Sequence, residues 1–213
     1  MSNTNDSNLI VSYLALRRLI GAFGFALPIA ILLYVLISHA PDLEASISAY
    51  YHTTFRDILV GVLCAVGVFM LAYKGYETID TVLSIIAGIS AIGVAMFPTS
   101  DLAMYGMNVP AITPLVGTIH VLATGVLFLT FAAMSFFLFT KSGPTQTAQK
   151  KKRNWLYRIC AIVIVLCIGT MIVHTVLAAP NPAGWRPTFW FETISLFAFG
   201  LSWLVKGETI LRD

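Results

Sequence analysis

The chain has 213 residues, of which 58% are hydrophobic and only 11% charged, with a formal net charge of +3. Soluble domains carry about 25% charged residues, so this sequence cannot clothe a water-facing surface and reads as an all-α polytopic membrane protein. Six spans of about 20 residues use roughly 120 residues, which leaves one transmembrane domain over residues 1–213, no separate soluble domain and no basis for nucleic-acid binding.

The polar start, residues 1–8, lacks the basic region of a cleavable leader. The first apolar run, 19–38, is therefore read as a retained helix, kinked at Pro28, where proline removes a backbone donor. The loop 39–56 carries Ile47, Tyr50, Tyr51 and Phe55, which suits a segment lying at the membrane interface. The second span covers 57–73 and the third 79–97, ended by Pro98. Ala87, Gly88, Ala91 and Gly93 in the third span allow close helix approach. The loop 99–114 is apolar enough, with Met104, Tyr105, Met107 and Val109, to fold back over the helix ends, while Asn108, Pro110 and Pro114 break any long helix.

The fourth span runs over 115–140. A polar, flexible loop, 141–154, follows and ends in the basic run 150–153, which suits anionic lipid. The fifth span, 155–179, stops before Pro180 and Pro182, and the sixth covers 187–205. None of these runs alternates with period two, and in lipid the backbone must satisfy its own hydrogen bonds, so the spans are helices. Cys64, Cys160 and Cys167 all lie inside apolar runs and form no metal-binding pattern.

Orientation follows from the basic residues. With the N-terminus in the cytoplasm, all thirteen Lys and Arg except Arg56 and Arg186 fall on the cytoplasmic side. Six spans return the C-terminus to that side. The expected location is a bacterial cytoplasmic membrane, with lipid as the constant partner and a small amphiphile as candidate ligand.

Ionisable groups inside a membrane are costly and usually turned inward with a partner. Asp57 opens the second span after Arg56, and His120 and Glu192 lie about one and a half turns into the fourth and sixth spans. His174 lies a similar distance before the end of the fifth. All four share one depth near the outer leaflet, so they are expected to meet in an outward-facing polar pocket. Ser48, Tyr51, His52 and Arg56 would line it for ligand binding, with further cover from Thr99, Asp101 and Tyr105.

Three readings fit this set. In one, His120 and His174 hold a metal, zinc by ligand type, and Asp57 or Glu192 completes the site or moves protons. The chain would then be a metal-assisted hydrolase of a lipid or amphiphile. In the second, His120 and His174 clamp a haem. In the third, the groups only pair with one another, Arg56 or Arg186 with Asp57 or Glu192 and each histidine with a hydroxyl or carbonyl. As a non-enzyme the chain would be a small-molecule binder, a sensor or a transporter component, or else a structural subunit. The apolar inner halves of the spans argue against a transport path.

Two resemblances add to this. Ser48-Ala-Tyr-Tyr-His52 with Asp57 resembles the first motif of alkaline ceramidase-like membrane hydrolases, which implies zinc-dependent cleavage of a lipid amide. The aspartate follows sooner than in that family, the paired histidines of its last helix are missing, and the family has seven spans. A longer pattern comprises Ser48-Ala-Tyr50-Tyr51, Arg56-Asp57, Val60-Gly61, Phe97-Pro98-Thr99, His120, Phe189-Trp190-Phe191-Glu192, Phe199-Gly200 and Trp203 to Gly207. It is similar to the DUF998 family of small bacterial inner-membrane proteins. That resemblance implies the helical architecture, and it marks Arg56, Asp57, His120 and Glu192 as positions to test.

Overall fold

The computed structural model describes residues 3–39, 42–75, 77–99, 114–143, 145–177 and 185–211. Among these residues every regular element is helical. In chain order they are α1 (Asn3–Ser38), a 3-10 turn (Ser48–His52), α2 (Arg56–Ala72), α3 (Thr78–Met96), α4 (Pro114–Ala133) continued by a π turn (Met134–Leu138), α5 (Ala148–Val176) and α6 (Pro187–Lys206). Asp101, Met104, Tyr105, Met107, Asn108, Val109 and Pro110, expected in the cover over the helix ends, lie outside the described residues.

Five segments are long and apolar enough to cross a membrane: Tyr13–Ser38, Thr78–Met96, Leu115–Leu138, Ala148–Thr175 and Pro187–Lys206. The remaining helix, α2, has 17 residues. Polarity is distributed inside out. Leu33, Ile89, Leu122 and Leu166 are more than half exposed, whereas Ser84, Ser135, Ser195 and Ser202 are fully buried. An apolar exterior over a partly polar interior is stable only where the solvent is itself apolar. The chain is a multi-pass membrane protein.

Each helix packs against its neighbours in the chain, and α6 closes the ring against α1. In lipid an apolar surface gives no drive for helices to associate, so close approach and interlocking matter more. Glycine supplies that approach at two seams. A β-carbon on Gly200 of α6 would sit 2.8 Å from the carbonyl oxygen of Gly21 on α1, and one on Gly88 of α3 would sit 2.8 Å from that of Gly67 on α2. Gly88 therefore serves packing within the bundle. In the interior, Phe131 of α4 stacks on Phe199 of α6 with centroids 3.8 Å apart.

The segment before α2 packs into the bundle: Ile47, Tyr50 and Phe55 are buried against Leu27, Ile31, Leu59 and Phe189. Phe189 N–H donates to Ala45 O at 3.2 Å, and Arg186 Nε donates to Leu43 O at 2.9 Å, so α6 pulls this segment into the mouth of the ring. The basic run 150–153 is not in a flexible loop. It forms the first turns of α5, because Thr147 Oγ1 caps the helix by accepting the Lys150 N–H at 3.0 Å. Hydropathy marks the lipid-length part of a helix, while its backbone hydrogen bonds continue beyond it, as α1 also shows by starting at Asn3.

The ring has a basic end, with Arg17, Tyr73, Asp80, Lys141, Lys150 and Lys206, and a distal end, with Arg56, Phe97, His120, His174 and Glu192.

Candidate functional site

At the distal end each expected site residue has a place of its own. Glu192 is 7% exposed, and its Oε2 accepts the Ile47 N–H at 2.6 Å, with the Ser48 N–H as a second backbone donor. These are the orphan donors at the start of the 3-10 turn, so the carboxylate acts as a cap supplied from another helix. His120, 5% exposed, lies 2.6 Å through Nδ1 from Phe97 O. A carbonyl only accepts, so Nδ1 carries the proton and closes the end of α3 just before Pro98. The spacing of Phe97-Pro98-Thr99 and His120 thus has a structural cause.

Of the other distal residues, Arg56, Tyr51 and His52 are in contact. Arg56 donates to Tyr51 Oη at 2.9 Å and lies 4.5 Å over that ring. Tyr51 meets His52 edge-on at 5.3 Å, and His52 Nε2 lies 3.2 Å from Thr99 O. Asp57 is exposed on the first turn of α2, and His174 is half-buried between exposed neighbours on α5. Just outside the spans, burial raises the Glu44 carboxyl above the usual glutamate range, partly offset by Arg186.

The structure therefore joins Arg56, Tyr51 and His52, and it joins Glu192 to the backbone at Ser48. It does not assemble His120, His174 and a carboxylate: among the described residues no group of three or more His, Cys, Asp or Glu could hold a metal ion. The metal-centre expectation finds no support, because His120 and Glu192 are turned to backbone partners on different segments.

The basic end holds a constellation that the sequence reading passed over. Tyr73, Asp80, Met134, Leu138, Phe139 and Lys206 line a small recess of about 10 Å³, open in part to the surroundings. Tyr73 is the residue that ends α2, and its carbonyl accepts from Ser84 Oγ at 2.8 Å. Met134 and Leu138 belong to the π turn, which Phe139 closes by donating its N–H to Met134 O at 3.0 Å. Single π turns inside α-helices are rare and often sit at functional sites.

Asp80 is 3% exposed. Its Oδ2 accepts the Glu77 N–H at 3.2 Å in a capping box, and its Oδ1 meets Lys141 Nζ at 3.2 Å. Lys141 also reaches Glu77 at 2.9 Å, and that bond holds its ammonium above the ordinary lysine range. Cations stand on two aromatic walls, Lys206 5.4 Å from the Phe139 ring and Arg17 5.6 Å from Tyr73, and Lys150 lies 5.8 Å from the nearby Tyr157 ring. Lys150 Nζ also donates to Phe139 O at 3.0 Å. Trp203 packs edge-on against both Tyr73 and Phe139, is 0% exposed, and has an indole N–H with no acceptor among the described residues.

Neither Lys206 nor Asp80 is among the site residues expected from the sequence. The signal that finds them is matched depth. Arg17, Asp80, Lys150 and Lys206 lie at one level on four helices, the same argument that singles out the distal residues.

No curated protein and no solved structure matches the chain. The model of the family described as "Protein of unknown function (DUF998)" matches residues 42–205, which takes in α2 to α5 and α6 up to Val205, and the chain belongs to that family.

Proposed function

We propose that this is a six-span protein of a bacterial cytoplasmic membrane, with both termini in the cytoplasm, that binds a small polar ligand in the recess at its basic end. The observation that carries the binding reading is that an ammonium and a carboxylate from different helices, Lys206 and Asp80, face one recess beside a π turn. Ionisable groups in a membrane bundle mark functional sites by default. At the distal end the polar groups meet backbone at Ile47, Phe97 and Thr99.

The six-span topology draws support from α2. It begins beside Tyr51 at the distal end and finishes at Tyr73, against Trp203, at the basic end. A helix of 17 residues is about 25 Å long, close to the hydrocarbon thickness of about 30 Å. With α2 crossing, the excess of Lys and Arg falls on one side together with both termini.

Cysteine labelling tests both parts. In a chain with Cys64, Cys160 and Cys167 replaced by alanine, Leu138→Cys is expected to react with a charged thiol reagent in inside-out vesicles and not in right-side-out ones. Phe131→Cys, beside the interior stack, is the unreactive control. Labelling of Leu138→Cys from the outside would reverse the orientation, and absence of labelling from either side would remove the recess as a ligand site.

A further inference from the structure

We propose that the outer face of α5, at the basic end, binds an anionic phospholipid, with the Arg158 guanidinium on its phosphate. This face is on the outside of the ring, so it stands apart from the recess and from which leaflet the basic end occupies.

The first observation is how the cations of one helix are sorted. Near the start of α5, Lys150 turns inward and donates to Phe139 O. Lys151, Lys152 and Arg158 are exposed, and so are Trp155, Ile162 and Leu166. Positions 151, 155, 158, 162 and 166 follow the spacing of a single helix face. Cations, an indole and aliphatic side chains therefore form one continuous strip. Neither α4 nor α5 contains an aspartate or glutamate to neutralise it.

The second observation is the depth of Arg158. Its guanidinium lies 6.0 Å from the Phe136 ring. Phe136 belongs to Leu115–Leu138, the part of α4 long and apolar enough to cross a membrane. Exposed lysines beyond a span follow from topology alone. An exposed arginine level with the span does not, because a charge there is costly without a partner. The ring attracts the charge, yet Arg158 makes no hydrogen bond or ion pair among the described residues. Its planar fork of donors matches a phosphate.

The third observation is the order along the strip. Lys151 and Lys152 come first, then the Trp155 ring, 70% exposed, then Arg158, and then Ile162 and Leu166. Indole rings settle at headgroup level, so this order runs from headgroup to acyl chain. Three cations with no carboxylate on either helix favour a lipid with net negative charge over a zwitterionic one.

The experiment reconstitutes the full chain, with Trp185 and Trp190 replaced by phenylalanine, into phosphatidylcholine vesicles. Trp155 then reports on the strip, and the fully buried Trp203 gives a constant background. A rising fraction of the lipid carries bromine on its acyl chains, a quencher that acts at contact, in either phosphatidylglycerol or phosphatidylcholine. Brominated phosphatidylglycerol is expected to half-quench at a fraction at least about fivefold lower, and Arg158→Gln should remove about fivefold of that preference, the value of one interfacial cation. Arg158→Lys, which keeps the charge, should keep part of it. Added salt should weaken the preference in the wild type. Equal quenching by the two lipids would overturn the proposal. So would a preference that survives Arg158→Gln and disappears only with Lys151→Gln and Lys152→Gln, the mark of diffuse attraction to a charged surface. Quenching by neither lipid would mean that another chain covers the strip, and would equally remove the lipid.

Discussion

Glu192 on α6 accepts the backbone N–H of Ile47 at 2.6 Å, a contact between residues 145 positions apart in the chain. It ties the segment between α1 and α2 to the start of the last helix. Glu192→Ala should leave the Ile47 and Ser48 N–H groups buried without acceptors, a loss of about 1–3 kcal/mol. Glu192→Gln keeps one acceptor oxygen and should lose less. Amide exchange over residues 45–52 reads this directly. Wild-type protection in Glu192→Ala would mean that the carboxylate does not hold the segment.

His120 does for α3 what Glu192 does for the 3-10 turn. Its Nδ1 lies 2.6 Å from Phe97 O, at a helix end that Pro98 prevents from continuing. His120→Phe keeps an aromatic ring and removes the donor, so it should destabilise the protein by about 1–3 kcal/mol, the cost of an unmet buried acceptor. Because His120 has no metal-binding group around it among the described residues, neither zinc nor a chelator should move the melting temperature of wild type or variant. A zinc-dependent rise in wild type, absent in His120→Phe, would restore the metal reading.

The helices are legible in the sequence because a lipid-spanning run of residues must be apolar along its whole length, a property that needs no knowledge of partners. The distal depth argument places Glu192 and His120 among costly buried groups, which they are, but depth carries no azimuth. It cannot say that each faces a backbone partner and not the other. The basic-end recess is less legible for three reasons. Residues 150–153 look like loop until Thr147 is seen to cap a helix. The π turn at 134–138 has no compositional mark. Asp80 has a carboxylate that works locally, with Glu77, and across the bundle, with Lys141, and only the second role points to a site.

Two glycines separate packing from flexibility. At Gly200 a β-carbon would come within 2.8 Å of Gly21 O, a backbone atom that cannot move without parting α1 from α6, whereas at Gly61 nothing lies within 4 Å. Gly200→Ala should therefore destabilise by about 1–3 kcal/mol, the usual range for overpacking. Gly61→Ala should be neutral or stabilising by up to about 1 kcal/mol from helix propensity. Melting temperatures of the two variants in one detergent check the contrast. Equal effects would mean that the α1–α6 seam is looser than the glycine contact implies.

The acid side of the pH profile should carry the signature of Glu44. Burial is the larger influence and raises its carboxyl above the ordinary value of 4.5, and Arg186 offsets this only in part. A carboxyl whose folded value is raised binds its proton more tightly when folded. Its contribution is therefore fully favourable below the ordinary value and is lost as pH rises through the raised one. At neutral pH the buried charge opposes folding, and Glu44→Gln, which keeps the shape and removes the charge, should melt higher than wild type. As pH falls through the glutamate range the wild-type side chain takes up its proton and the two melting temperatures should converge. A difference that stays constant from pH 7 to pH 4, or a variant that melts lower at pH 7, would show that the Arg186 attraction outweighs the loss of hydration.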